Sequence, residues 1–417
     1  MQDCLVLLTK VYPFDKGEEF IEDEIPILAQ AFSQVIVIAT STAENAVQTR
    51  TVPENVKVHR ISAKDIRRKL PAAAASLLLS RSCHGFAGRE EKKAAGRSMK
   101  ARLFLRYFIA KSELVFQASR RILLPYHLES CDSVTFYAYW FYDVAVAASQ
   151  LKKYCTAKSC KAVCRAHGYD LYKERQSSGF LPLRPYLLKS LDAVYPCSQN
   201  GTKYIQNHWP GFEEKVHTAY LGTQDYSLGP APQTDSFHIV SCCHIVPLKR
   251  VNLLAQALSQ LQDSGLNLKW THIGGGDGLE DLRSYAAENL SFMDVDLHGA
   301  LPNEQLMQFY QSTPVNVFVN TSSSEGLPVS IMEAASFGIP AIATDVGGTG
   351  ELVKSDRTGW LLSADLTPEV LASTILEAAK QPADTAAAMR NRCRTLWEQQ
   401  FNGVKNFTAF AEKLKPF

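Results

Sequence analysis

Twelve short apolar runs, separated by stretches with helical spacing, constrain this 417-residue chain more than any other feature. In the first half they fall at 4–9, 35–40, 56–61, 134–140, 162–166 and 193–196. In the second they fall at 238–243, 268–273, 295–298, 315–319, 341–344 and 360–362. Runs that are apolar without alternation belong to strands covered on both faces, the mark of a parallel sheet with crossover helices. Helical patterns lie between them, for example at 251–261, 303–310 and 368–379. Each half therefore reads as a doubly wound α/β unit.

The break between halves is expected near 223–236, where Gly229-Pro230-Ala231-Pro232-Gln233-Thr234 has linker chemistry. The expected division is a Rossmann-like domain at 1–222, a second at 223–395, and a C-terminal helix at 396–417 packing back on the first. Two such sheets facing one another make a cleft, where ligands usually bind. Forty-six per cent apolar and 21% charged residues exclude a disordered or low-complexity chain. A net charge of +2 argues against a polyelectrolyte built for nucleic acid. No apolar run approaches the roughly 20 residues of a spanning helix. Met1-Gln2-Asp3-Cys4 runs straight into a strand pattern rather than a signal peptide. Ten scattered cysteines read as reduced thiols, so the expectation is a cytoplasmic protein.

One segment breaks the alternation. Residues 62–121 hold fifteen Lys and Arg against four acids, with Leu103, Leu105, Phe108, Ile109, Leu114 and Val115 on a rough amphipathic pattern. It reads either as a solvated helical insertion packed by one face, or as a basic surface that contacts an anionic membrane. No nucleic-acid-binding module accompanies it.

The chemistry concentrates at 315–351. A strand empties into Thr321-Ser322-Ser323-Ser324-Glu325-Gly326, and a helix starts at Leu327-Pro328 and ends at Gly338. Small residues delivered to a helix N-terminus leave free N–H groups and the positive dipole end, an anion site suited to a diphosphate. Glu325 and Glu333 are eight residues apart, about two helical turns, so both carboxylates can face one ligand. Glu333 lies in an apolar stretch, where a carboxylate needs partners. A ribose diol or neighbouring backbone would supply them. The next strand leads to Asp345-Val346-Gly347-Gly348-Thr349-Gly350-Glu351, whose glycines suit a tight turn or close approach to a ligand.

These residues carry a family resemblance. The stretch from Glu325 to Glu333 resembles the E-x(7)-E motif of retaining glycosyltransferases of family 4, and 345–351 is similar to that family's D-x-G-G-x-x-E turn. His244-Ile245-Val246-Pro247-Leu248-Lys249-Arg250 mirrors its donor-side loop, and His272-Ile273-Gly274-Gly275-Gly276 its I-G-x-G segment. In the first half, Arg165-Ala166-His167-Gly168-Tyr169-Asp170 looks like an R-x-H-G-x-D element. Tyr12 to Ile21 resembles the F-P-x-x-S-E-T-F-I loop with one extra residue, and Tyr139-Trp140-Phe141 a pattern of bacterial surface-polysaccharide members.

The resemblance implies the GT-B fold, two Rossmann-like domains facing a cleft. It also implies transfer of a sugar from a nucleoside diphosphate, UDP by analogy, to a glycan or polyprenyl-linked acceptor in capsule, exopolysaccharide or lipopolysaccharide assembly. Glu333 would hold the ribose hydroxyls. Glu325 would contact the transferred sugar, and the Gly326 and Leu327 amides would help hold the donor. Lys249 would neutralise the leaving diphosphate, and His167 would face the reaction centre. Gly17 would let the first loop approach the diphosphate or acceptor. His244 stands where the family commonly has Arg, and a neutral imidazole holds phosphate less strongly, so Arg250 is the candidate replacement. No metal and no cofactor are expected. The rivals are a GT-B nucleotide-sugar epimerase and a non-catalytic partner subunit. Cys155, Cys160, Cys164 and His167 lack the tight spacing of a zinc knuckle. Asp294-Val295-Asp296 reads as a strand entry rather than a metal-binding D-x-D pair.

Overall fold

The computed structural model describes residues 2–79, 96, 98–176, 178–232 and 235–415. Residues 80–95 and 97 of the basic segment lie outside that range. The chain divides into two compact units, Met1–Leu221 with Val404–Phe417, and Gly222–Gly403.

The first unit carries β1 (Asp3–Thr9), β2 (Gln34–Thr42), β3 (Val56–Ser62), β4 (Ser133–Ala138), β5 (Ser159–Ala166) and β6 (Ala193–Pro196) in the order β3-β2-β1-β4-β5-β6. All paired neighbours are parallel. Side chains alternate between faces along a strand. Cys4, Val6 and Leu8 of β1 therefore join Ile36, Ile38, Val134 and Phe136 in one core under helices Met99–Leu123 and Asp143–Tyr154. Leu5 and Leu7 join Val35, Val37, Tyr137 and Val163 in the other.

That second core is closed by the C-terminal helix Gly403–Leu414, through Phe410, Ala411 and Leu414. Thr135 Oγ1 and Lys161 Nζ donate to the carbonyls of Leu414 and Lys413, each at 2.7 Å. These are carbonyls that a helix end leaves without partners, and the cation also suits the dipole. The Arg165 guanidinium lies 3.8 Å from the Phe410 ring centroid and 3.3 Å from Glu24 of helix Phe20–Ala31.

The second unit carries β7 (Phe237–Cys242), β8 (Leu268–Ile273), β9 (Asp294–Gly299), β10 (Val317–Asn320), β11 (Ala341–Thr344) and β12 (Gly359–Leu362) in the order β12-β11-β10-β7-β8-β9. Its strands are parallel as well. In each unit the strand order reverses beside the first strand, between β1 and β4 and between β7 and β10. Doubly wound sheets take ligands outside the carboxyl ends of strands at such a point.

Two local expectations change. The stretch at 396–414 is not one helix but the end of Ala383–Gln400 followed by Gly403–Leu414. The chain turns because Thr223 N–H donates to the Phe401 carbonyl at 3.1 Å and Gly403 N–H to the Thr223 carbonyl at 2.9 Å. A Cβ on Gly222 would fall 2.4 Å from Gly403 Cα, so the backbones cross where no side chain fits. The strand expected at 134–140 ends at Ala138, because the Phe141 N–H turns to the Asp170 carboxylate at 2.6 Å.

Candidate functional site

In the second unit the loops after β7 and β10 meet at the switch point. Lys249 Nζ lies 2.6 Å from Glu325 Oε1, with Glu325 itself buried. The same oxygen accepts from Asn320 Nδ2 at 3.4 Å, and Asn320 Oδ1 accepts from the Ser322 N–H at 3.0 Å. Thr321 Oγ1 donates to the Lys249 and Arg250 carbonyls at 2.8 and 3.0 Å. Ser323 N–H donates to the Leu248 carbonyl at 2.8 Å. The two loops are stapled into one surface, which fixes the Lys249–Glu325 pair.

Arg250 completes the staple. It sits in the left-handed region with φ 49°, and its guanidinium donates to the carbonyls of Thr321, Ala364 and Ser322 at 2.7, 3.0 and 3.3 Å. Each of its three nitrogens is thus engaged with main chain, and its observed task is positioning the loop. His244 is exposed on the same loop. Its neighbourhood packs tightly, since a Cβ on Gly274 would meet the Cys243 carbonyl oxygen at 1.8 Å and one on Gly276 the Ile245 oxygen at 2.7 Å.

Helix Val329–Ser336 begins after Pro328 with no side-chain cap, which leaves its first N–H groups available to a ligand. Ser322 Oγ, in the loop leading to it, is buried and has no hydrogen-bond partner among the described residues. Leu327 is buried, and the Gly326 carbonyl accepts from the Gly348 N–H at 2.7 Å. Gly347 adopts φ 57°, and a Cβ there would fall 1.9 Å from the Glu325 carbonyl oxygen. The glycine turn at 345–348 therefore supports the Glu325 loop by direct backbone packing.

Glu333 is buried on that helix, and its Oε1 accepts from Asn303 Nδ2 at 2.8 Å. Glu325 and Glu333 thus have different partners. The two approach one feature, the end of β7. Burial first, then the Glu333 charge, pushes the Cys242 thiol up, while Lys249 pulls it down. Cys243 is pushed up to about 11 by burial, with Lys249 lowering and Glu325 raising it. A cavity of about 360 Å³ in this unit lies at the opposite edge, against Phe237, Asn316, Trp360 and Arg390, away from these charges.

In the first unit, His167 follows β5. Its Nε2 lies 3.1 Å from the Tyr139 carbonyl, and its ring centroid lies 4.8 and 4.9 Å from those of Tyr139 and Trp140. Burial, then the Arg165 charge, pushes its pKa down to about 3, so it is a neutral imidazole at neutral pH. It can shape a polar wall but does not supply a general acid. Gly17, with φ 105°, has its N–H on Glu19 Oε1 at 2.7 Å and its carbonyl on Arg50 Nη1 at 2.8 Å.

Sequence reasoning passed over Glu18. Its buried carboxylate accepts the N–H groups of Lys10, Val11 and Tyr12, each at 2.8 Å, and Trp140 Nε1 at 2.5 Å. The acid of the resemblance motif at 12–21 was its only signal. Asn303, Asn320 and Thr321 were missed too, and only their place at an element end marks them.

Residues 229–395 match the family model for glycosyl transferases group 1. This part of the chain is a glycosyltransferase group 1 domain. It contains Lys249, Glu325 and Glu333. Among curated relatives, the amylovoran biosynthesis glycosyltransferase AmsK of Erwinia amylovora is 24% identical over 61% of this chain and 64% of its own length. The match thus spans less than two thirds of that relative. Among solved structures, the lipopolysaccharide outer core galactosyltransferase WaaB superposes with a TM-score of 0.67 at 16% identity, covering 98% of this chain and 99% of WaaB. Anabaena HepE in complex with UDP and glucose gives a TM-score of 0.62 at 15% identity, with 99% of each chain covered. The chain therefore has the GT-B fold.

Proposed function

We propose that the protein is a retaining glycosyltransferase that moves a sugar from a nucleoside diphosphate, UDP by preference, onto a glycan or lipid-linked acceptor in surface-polysaccharide assembly. The observation that carries this reading is the Lys249–Glu325 pair, held beside an uncapped helix N-terminus at the β7/β10 switch point. A diphosphate at that N-terminus would be met by N–H groups, the dipole and the Lys249 ammonium. The buried Ser322 hydroxyl offers a donor that no described residue takes up. The Gly326 and Leu327 amides open the same loop, and Glu333 would take the ribose hydroxyls.

Breaking the bond between the sugar C1 and the diphosphate oxygen leaves an oxocarbenium-like sugar and a nucleoside diphosphate anion. In this reading Lys249 and the helix stabilise the anion without a metal, while Glu325 orients sugar hydroxyls. The acceptor hydroxyl attacks C1 from the face the diphosphate leaves, and its proton passes to the departing phosphate oxygen. HepE, with its UDP and glucose, and the polysaccharide assignment of AmsK support the donor and the setting. Glu325→Gln should abolish transfer from radiolabelled UDP-sugars to membrane-derived acceptors while the melting temperature stays near wild type. Full transfer by that variant would remove the proposed site, and a trapped glycosyl-enzyme would exclude same-face attack.

The basic segment is proposed as a peripheral contact with anionic membrane from the cytoplasmic side. On helix Met99–Leu123, Lys100, Arg102 and Arg106 are exposed beside Met99, Leu103 and Tyr107. Co-sedimentation with vesicles containing anionic lipid should fall with Arg102→Glu/Arg106→Glu. Unchanged sedimentation would leave the segment as a packed, solvated insertion.

A further inference from the structure

Lys10 directly follows β1, at the β1/β4 switch point of the first unit. Its ammonium lies 4.5 Å from the Trp140 ring centroid, 5.1 Å from Tyr169 and 5.4 Å from Tyr142. Among the described residues it has no ion pair. The carboxylates of this edge make their hydrogen bonds elsewhere, although the Lys10 charge helps hold the Asp170 carboxyl down against the effect of its burial. Glu18 takes three main-chain N–H groups and the Trp140 indole. Asp170 accepts the N–H groups of His167 and Phe141, each at 2.6 Å. Asp143 lies 2.7 Å from Lys111.

Rings stabilise an ammonium but do not neutralise it, and they leave its three N–H donors for a stronger acceptor. The same loops present an apolar wall, with Tyr169 50% exposed and Trp140 half-buried. A partly desolvated cation beside an exposed aromatic face matches a ligand with an anionic substituent on a ring whose C–H face can pack against tyrosine. The end of β1 at a switch point is where such a ligand is expected.

We propose that Lys10, Trp140, Tyr142 and Tyr169 form a binding site for an anionic saccharide, a sugar unit bearing a carboxylate or phosphate. Resting on the sugar-transfer reading above, this names the class of acceptor. Lys10 holds the anionic group, and Tyr169 packs against the sugar ring.

The test uses the full chain and ligand-observed NMR titrations with three probes. These are a uronic-acid oligosaccharide, its carboxyl-reduced counterpart, and a short-chain isoprenyl diphosphate-linked sugar. UDP is titrated in parallel. At least one anionic probe should bind about tenfold or more tightly than the reduced oligosaccharide, as a charge-assisted hydrogen bond requires. That preference should vanish in Lys10→Met and Lys10→Gln, while UDP affinity and melting temperature stay near wild type. Preference for the uronate assigns the anion to the glycan, and preference for the diphosphate assigns it to the lipid carrier. Equal binding of charged and reduced probes, or a preference that survives both Lys10 variants, overturns the proposal. Failure of UDP to bind the wild type would instead strike the donor reading, so the two failures are separable.

Discussion

Glu333→Gln tests the donor half-site through one carboxylate. The residue is 9% exposed, and one carboxylate oxygen is held by Asn303 Nδ2 at 2.8 Å. Glutamine can keep that bond through its carbonyl oxygen, so the loop should stay in place. It loses the negative charge that makes hydrogen bonds from a ribose diol strong. Bonds to a charged group are worth about 1.5–3 kcal/mol. At 1.4 kcal/mol per decade, losing one costs about 10- to 150-fold in affinity. Calorimetric titration of UDP and 2′-deoxy-UDP into both proteins reads this directly. The wild type should favour UDP by about tenfold or more, and the variant should bind both nucleotides alike. A variant that weakens both equally and keeps the preference would refute the assignment of Glu333 to the ribose.

Gly347→Ala places a methyl 1.9 Å from the Glu325 carbonyl oxygen at a left-handed φ, so the loop must move. We expect about 2 kcal/mol or more of destabilisation by urea titration, together with loss of UDP binding. Arg165→Met strands the buried Glu24 carboxylate, which should cost about 3–5 kcal/mol, and Glu24→Gln in the same chain should recover part of it in the same assay. His272 is fully buried against Ser241 at 2.8 Å, and burial holds its pKa near 4 against an ordinary 6.5. The unfolded chain therefore binds a proton the folded one refuses. This contribution is fully present above pH 6.5 and declines as pH falls towards 4, by about 1.4 kcal/mol per unit. Denaturation of His272→Asn between pH 7 and 4.5 should show a slope lower by one proton, and an unchanged slope would contradict the assignment.

The strands were legible because burial on both faces leaves residues such as Leu5–Leu8 and Ile36–Ala39 no polar alternation. Helix Pro368–Ala379 was legible from its spacing, and the structure caps it with Thr367, whose side chain accepts from the Val370 N–H. The break at 401–402 was not legible, because it depends on Gly222 and Thr223, some 180 residues away. The site divides in the same way. Lys249 and Glu325 are marked by their loops, and the structure joins them in an ion pair. Arg250 looked like a phosphate ligand from charge alone. Its guanidinium is engaged by three carbonyls, a fact of loop geometry that no residue type announces. Glu18 was hidden for the same reason, since a carboxylate that gathers main-chain N–H groups reads in sequence as one acid among several.

The central claim is that the second unit binds a nucleoside diphosphate at the loop carrying Glu325. The most direct measurement is the melting temperature of the full chain with UDP, GDP, ADP and CMP, repeated for Glu333→Ala. A ligand at 100 times its Kd stabilises the native state by about 2.7 kcal/mol. For a unit of this size that is a rise of about 5–10 °C. The account predicts such a rise with UDP, absent with CMP and lost in the variant. No rise with any of the diphosphates, or one that survives Glu333→Ala unchanged, would contradict it.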